Sequence, residues 1–113
     1  MVCNADVLVI TVATKETNAF RMFNRSAEIH QLPLKVLGMG GKWKGFGQKV
    51  ILLRDELEKY RYDRNRIILF ADAYDVLFLS GVQPIVDKFK SFQARILFSA
   101  EPNCAPDGSL ASK

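Results

Sequence analysis

Asp72 and Asp75 follow the apolar run Ile67-Ile68-Leu69-Phe70-Ala71, with Tyr74 between them. Two carboxylates this close suit a hard divalent cation such as Mg²⁺ or Mn²⁺. Such ions take oxygen ligands and often share them with substrate phosphates. Tyr74 offers a flat face on which a base can lie. The run before Asp72 does not alternate, which fits a strand buried on both faces in a parallel sheet covered by helices. Ligands of open α/β sheets bind beyond the carboxyl ends of the strands. Asp72 and Asp75 are therefore expected on the binding edge, in a nucleotide-sugar site. A plainer reading makes the aspartates turn formers or helix caps and Tyr74 a packing residue. The phosphatase arrangement of two aspartates one residue apart is not matched, because two residues intervene here.

A second candidate is the loop Met39-Gly40-Gly41-Lys42-Trp43-Lys44-Gly45-Phe46-Gly47. Counting Gly38, it carries five of the chain's seven glycines. Glycine permits backbone angles and close approaches closed to other residues. The loop is not a P-loop, since Gly47 is followed by Gln48-Lys49-Val50, and neither glycine pair completes GxGxxG. A glycine-rich turn entering a helix can still present N–H groups to an anion. It reads equally as a connector. Trp43, the only tryptophan, stands between lysines and is not expected in the core.

The elements that would position these residues alternate. Val7 to Ala13 reads as a first buried strand, and Thr14 to Thr17 as its exit loop. Phe20, Phe23 and Ala27 fall at helical spacing, in a helix that ends before Pro33. Leu34 to Gly38 is a second strand. Gln48 to Tyr60 is a helix with Val50, Leu53, Leu57 and Tyr60 on one face. Arg66 to Ala71 is the third strand, and Val76 to Leu79 a brief extended piece. A third helix starts near Ser80, with Pro84 early in it and Ile85, Phe89 and Phe92 on its apolar face. Arg95 to Ala100 is a fourth strand. The order βαβαβαβ predicts an α/β fold, a mostly parallel sheet with flanking helices. After Ala100 the pattern fails and the chain stops in loop, so residues 1–113 read as part of a larger domain.

Composition excludes other classes. The chain has 113 residues, 49% hydrophobic and 25% charged, which is ordinary for one globular domain. No run approaches the ~20 apolar residues that span a bilayer. No signal peptide is recognisable at Met1-Val2-Cys3-Asn4. The net charge of +4 is scattered, with neither RNA-reading nor zinc-finger spacing, so no nucleic-acid partner is expected. Cys3 and Cys104 form no framework; they read as free thiols, or as partners of each other or of residues outside this sequence. His30 is the single histidine, near the end of a helix where a cation complements the dipole. One histidine excludes a three-His zinc site or a two-His iron triad built from this chain alone.

Five stretches occur in register: Val9-Ile10-Thr11-Val12-Ala13-Thr14-Lys15-Glu16-Thr17, Leu37-Gly38-Met39-Gly40, Gly47-Gln48-Lys49-Val50, Ile68 to Val76, and Phe98-Ser99-Ala100-Glu101-Pro102. Together they resemble the amino-terminal glycosyltransferase domain of the procollagen lysyl hydroxylases, over nearly the whole chain. The resemblance implies the nucleotide-binding half of a GT-A fold, a UDP-sugar donor and Mn²⁺ or another divalent cation. Asp72 and Asp75 match the family's metal-binding aspartates, and Tyr74 the tyrosine that packs on uracil. Val12 and Thr14 match the strand segment bordering the nucleotide. Trp43 and Lys49 match loop residues lying over the donor. The implied acceptor is a hydroxylysine-linked sugar on a collagen-like chain. The implied compartment is the endoplasmic reticulum lumen or secretory pathway.

The sequence therefore reads as the UDP-sugar-binding half of a metal-dependent glycosyltransferase. It contains neither the family's later histidine, which completes the metal site, nor its dioxygenase domain. These residues alone are expected to transfer little sugar, and no residue is assigned as the catalytic base or nucleophile. The competing reading is a non-catalytic nucleotide- or protein-binding module derived from such a domain.

Overall fold

The computed structural model describes residues 6–100. It runs through β1 (Asp6–Val12), α1 (Asn18–Ile29), β2 (Leu34–Leu37), α2 (Phe46–Leu57) with a 3₁₀ turn at Glu58–Tyr60, β3 (Arg66–Phe70) and α3 (Val82–Ser91). The three strands form one parallel sheet in the order β2-β1-β3. This is the α/β architecture expected from the alternation. β1 holds the centre, with β2 on one side and β3 on the other, and Val9 and Ile10 in it are fully buried. The chain moves from β1 to β2 on one side, then crosses back over β1 to reach β3. The strand order therefore reverses between β1 and β3, and a crevice opens there at the carboxyl ends.

One face of β1 carries the main core. Val9 and Ala13 pack with Phe20, Phe23 and Ala27 of α1, with Leu32, and with Ala73 and Phe78 beyond β3. The α1 helix begins where Thr17 accepts the Phe20 N–H at 3.1 Å, a side-chain N-cap. It ends at His30, whose N–H donates to Ser26 O. The Phe23 and Phe78 rings meet tilted, with centroids 5.3 Å apart. Ser26 Oγ accepts the Phe78 N–H at 3.0 Å and donates to Phe23 O. The segment behind the two aspartates is thereby tied to α1.

Several expectations are corrected. Arg95 to Ala100 is not a strand, and Phe98 is 86% exposed with Ile96 and Leu97 also open to solvent. A strand requires a neighbour to accept its hydrogen bonds, and among the described residues β3 pairs only with β1. For the same reason β3 is half-buried along its length and not covered on both faces. The second helix starts at Phe46, before Gln48, and is turned relative to the expected face. Val50 is 66% exposed and Leu57 lies at the surface, while Leu52, Leu53 and Glu56 face inward. Phe92 caps α3 in an exposed position, and Val86 is its buried residue. Cys3 and Cys104 lie outside the described residues.

The inward face of α2 carries a compensated charge. Glu56 is only 4% exposed, yet its carboxylate accepts from Lys35 Nζ of β2 at 2.6 Å, Lys59 Nζ at 2.9 Å and Tyr60 OH at 3.1 Å. The Lys35 contact, aided by Lys59 and Tyr60, outweighs desolvation and lowers the Glu56 pKa to about 2. The same contact raises that of Lys35. A depressed carboxylate pKa means that the unfolded chain binds more protons below its ordinary value of 4.5. Stability from this cluster is complete above that pH and declines as pH falls toward about 2. Thermal melting from pH 6 down to pH 2 is expected to show a falling Tm across this window. Glu56→Gln should reduce the slope there, and an identical slope in that variant would refute the assignment.

Candidate functional site at the carboxyl ends of β1 and β3

One hydroxyl closes the end of the β1–β3 ladder beside the crevice. The β1–β3 ladder continues one step past β3, where Ala71 N–H donates to Ile10 O at 3.1 Å. Fully buried Thr11 then donates its hydroxyl to Ala71 O at 2.6 Å. A side chain thus takes the carbonyl at the point where β3 leaves the sheet. Ala73 turns into the core, and Asp72, Tyr74 and Asp75 face outward. Apolar anchoring of this one alanine is what presents the carboxylates and the ring together.

A cleft of ≈ 670 Å³ lies at this point. Val12, Thr14, Trp43, Lys49, Asp72, Tyr74 and Asp75 all line it. These are the residues singled out in the sequence, and the fold brings every one of them to a single concavity. Tyr74 OH accepts the Lys15 N–H at 3.2 Å and donates to Lys15 O at 2.9 Å. Both bonds go to backbone, so the hydroxyl fixes the ring against the β1–α1 loop while the ring stays 42% exposed. The glycine loop is tied to the same loop, because Gly40 N–H donates to Thr14 O at 3.0 Å. Gly38 must be glycine there: its φ is +83°, and a Cβ would lie 3.2 Å from Leu52 Cδ1. Trp43 meets Phe46 edge to face at 5.9 Å and walls the cleft on the α2 side.

The charges are unevenly paired. Lys49 Nζ donates to Asp72 Oδ1 at 2.7 Å and lies 5.8 Å from the Phe70 ring centroid. The Lys49 ammonium thus rests on one of the two aspartates and does not project free into the cleft. Asp75 makes no ion pair among the described residues. Two exposed carboxylates on one wall are a hard oxygen donor set, which fits a hard divalent cation completed by water or phosphate oxygens. Among the described residues no third His, Cys, Asp or Glu joins them.

Sequence reasoning passed over Lys15 and Phe46, which also line the cleft. Lys15 lies in the exit loop of β1 and meets Tyr74 through its backbone, which leaves no side-chain signature. Phe46 gave a signal that could have been used: it is a second large aromatic in the loop that holds Trp43.

The chain was compared with known proteins. Residues 3–113 match the family described as the PLOD GT domain. The chain is 44% identical over 96% of its length to procollagen-lysine,2-oxoglutarate 5-dioxygenase 1 of Homo sapiens. It is 40% identical, also over 96% of its length, to procollagen-lysine,2-oxoglutarate 5-dioxygenase of Drosophila melanogaster. Over 95% of its length it is 42% identical to the multifunctional procollagen lysine hydroxylase and glycosyltransferase LH3 of Rattus norvegicus. The chain spans about 16% of the length of each of these relatives.

Proposed function

We propose that this chain, which belongs to the PLOD GT domain family, is the nucleotide-sugar-binding half of a metal-dependent glycosyltransferase using a UDP-sugar donor. One observation carries the reading. Residues from the β1 exit, the glycine loop, α2 and the turn after β3 meet in one cleft at the point where strand order reverses. Tyr74 would support the base on its exposed face, held still by the Lys15 backbone. Val12 and Thr14 would border the nucleoside from the β1 side. Trp43 and Phe46 would cover the donor and exclude water. Asp72 and Asp75 would hold the divalent cation, Mn²⁺ by preference. When bound, that ion supplies Lewis-acid stabilisation of charge developing on the leaving diphosphate.

The acceptor proposed is a hydroxylysine-linked sugar of a collagen-like chain, and the compartment is the secretory pathway. Support comes from relatives whose names refer to procollagen and, in one case, to glycosyltransferase activity. No helix among the described residues is long and apolar enough to cross a membrane.

The test is calorimetric titration of the protein with UDP, with and without Mn²⁺. UDP is expected to bind at least about tenfold more tightly with the ion, a gain of ~1.4 kcal/mol. Equal affinity in the two conditions would count decisively against the site. Binding without metal dependence would favour the non-catalytic module instead.

A further inference from the structure

We infer that Lys49 is an internal competitor of the divalent cation for Asp72, so that the metal engages this carboxylate oxygen by displacing its ammonium. The inference rests on the reading of Asp72 and Asp75 as metal ligands. It adds a role for Lys49 that the position of this residue over the donor does not supply.

The geometry is direct. Lys49 Nζ lies 2.7 Å from Asp72 Oδ1, so it already occupies a coordination direction of that oxygen. A divalent ion bound within the ~2.0–2.2 Å of oxygen coordination would place two cations close together on one carboxylate. Their repulsion is relieved if the lysine leaves. The flexible four-carbon stem permits that movement. The side chain starts from the first turn of α2 and is about one quarter exposed, at 26%. Phe70, 5.8 Å away, holds the ammonium weakly by its ring face and does not anchor it. Asp75 carries no comparable partner among the described residues. The two aspartates are therefore unequal: Asp75 is open to an ion and Asp72 is guarded.

The guard has consequences for both ligands. While Lys49 stays on Asp72, the carboxylate pair carries one compensated charge, and metal alone binds weakly. An anionic diphosphate in the cleft draws the ammonium away, and Asp72 is then free for the ion. Metal and nucleotide should accordingly assist each other, and the assistance must be reciprocal.

The experiment titrates Mn²⁺ alone, and then Mn²⁺ with saturating UDP, into the unmodified protein and into Lys49→Met. Calorimetry reads the affinity, and thermal melting checks that the variant remains folded. Removing the ammonium should tighten binding of Mn²⁺ alone by about two- to fivefold, the range expected for one partly exposed ion pair. The gain in Mn²⁺ affinity that UDP gives should shrink by a similar factor. If Lys49→Met binds Mn²⁺ alone no more tightly than the unmodified protein, while that protein keeps metal-dependent UDP binding, the competition is overturned and the site stands. If the unmodified protein shows no metal dependence, both ideas fall.

Discussion

Replacing Asp72 and Asp75 together with alanine is expected to abolish the Mn²⁺ dependence of UDP binding. The two carboxylates are the acidic groups that line the cleft, and no third metal-ligating side chain joins them among the described residues. Without them a bound ion would keep only water and phosphate oxygens, so the protein would no longer distinguish metal-bound from free nucleotide. The loss should equal the whole gain given by the ion, at least about tenfold in affinity. The fold should survive, because both side chains are exposed and surface substitutions commonly change stability by no more than ~0.5 kcal/mol. Single substitutions are informative because Lys49 pairs with only one of the aspartates. Asp75→Ala removes a ligand and leaves Lys49 on its partner. Asp72→Ala removes a ligand and also frees a cation in the cleft, which should raise metal-free UDP affinity relative to Asp75→Ala. Titrations of UDP into all three variants, with and without Mn²⁺, provide the check. A double variant that still binds UDP more tightly with Mn²⁺ would place the ion elsewhere.

Much of this arrangement was legible because its causes are local in sequence. The apolar stretch Val7 to Ala13 predicts a buried strand, and the rule that ligands sit beyond strand ends places Thr14 and Asp72 on one edge. Thr17, read from the sequence only as the end of the exit loop, caps α1 through an equally local contact with the Phe20 N–H. What was misread depends on partners distant in the chain. The face of α2 was assigned by counting apolar residues, but its most buried side chain is Glu56, paired with Lys35 some twenty residues earlier. Apolar composition at Arg95 to Ala100 indicates a tendency to be buried and not which edge would accept the hydrogen bonds. The order of the strands is equally silent in the sequence. So is the contact between Lys49 and Asp72, which exists only because α2 and the turn after β3 approach the same crevice.

The core and the site are joined through Phe78, and Phe23→Ala should expose that link. Phe23 is fully buried, with Phe20 at 6.4 Å and Phe78 at 5.3 Å between ring centroids. Truncation removes its buried ring and leaves a cavity, at a cost of about 3–5 kcal/mol. Domains of this size commonly have ~5–15 kcal/mol in total, so the variant would keep only a small reserve. Thermal melting should show a fall of about 15 °C or more, from the ~4–8 °C per kcal/mol usual for small domains. Met22→Ala, the adjacent but exposed position on α1, should shift Tm very little. The cavity would also lie under the segment that carries the aspartates, because Phe78 is held both by the Phe23 ring and by the Ser26 hydroxyl. With the ring contact gone, the chain from Asp75 to Phe78 keeps the hydrogen bond and the packing of Val76 on the core but loses the Phe23 ring. Metal-dependent UDP affinity should then fall even below the melting temperature, where the variant is still folded. A Phe23→Ala protein within about 1 kcal/mol of the original would show that the cluster around Phe23 is not the principal core. One that is destabilised as expected but binds UDP and Mn²⁺ unchanged would show that Ala73 and the Thr11 hydroxyl suffice to hold the carboxylates in place.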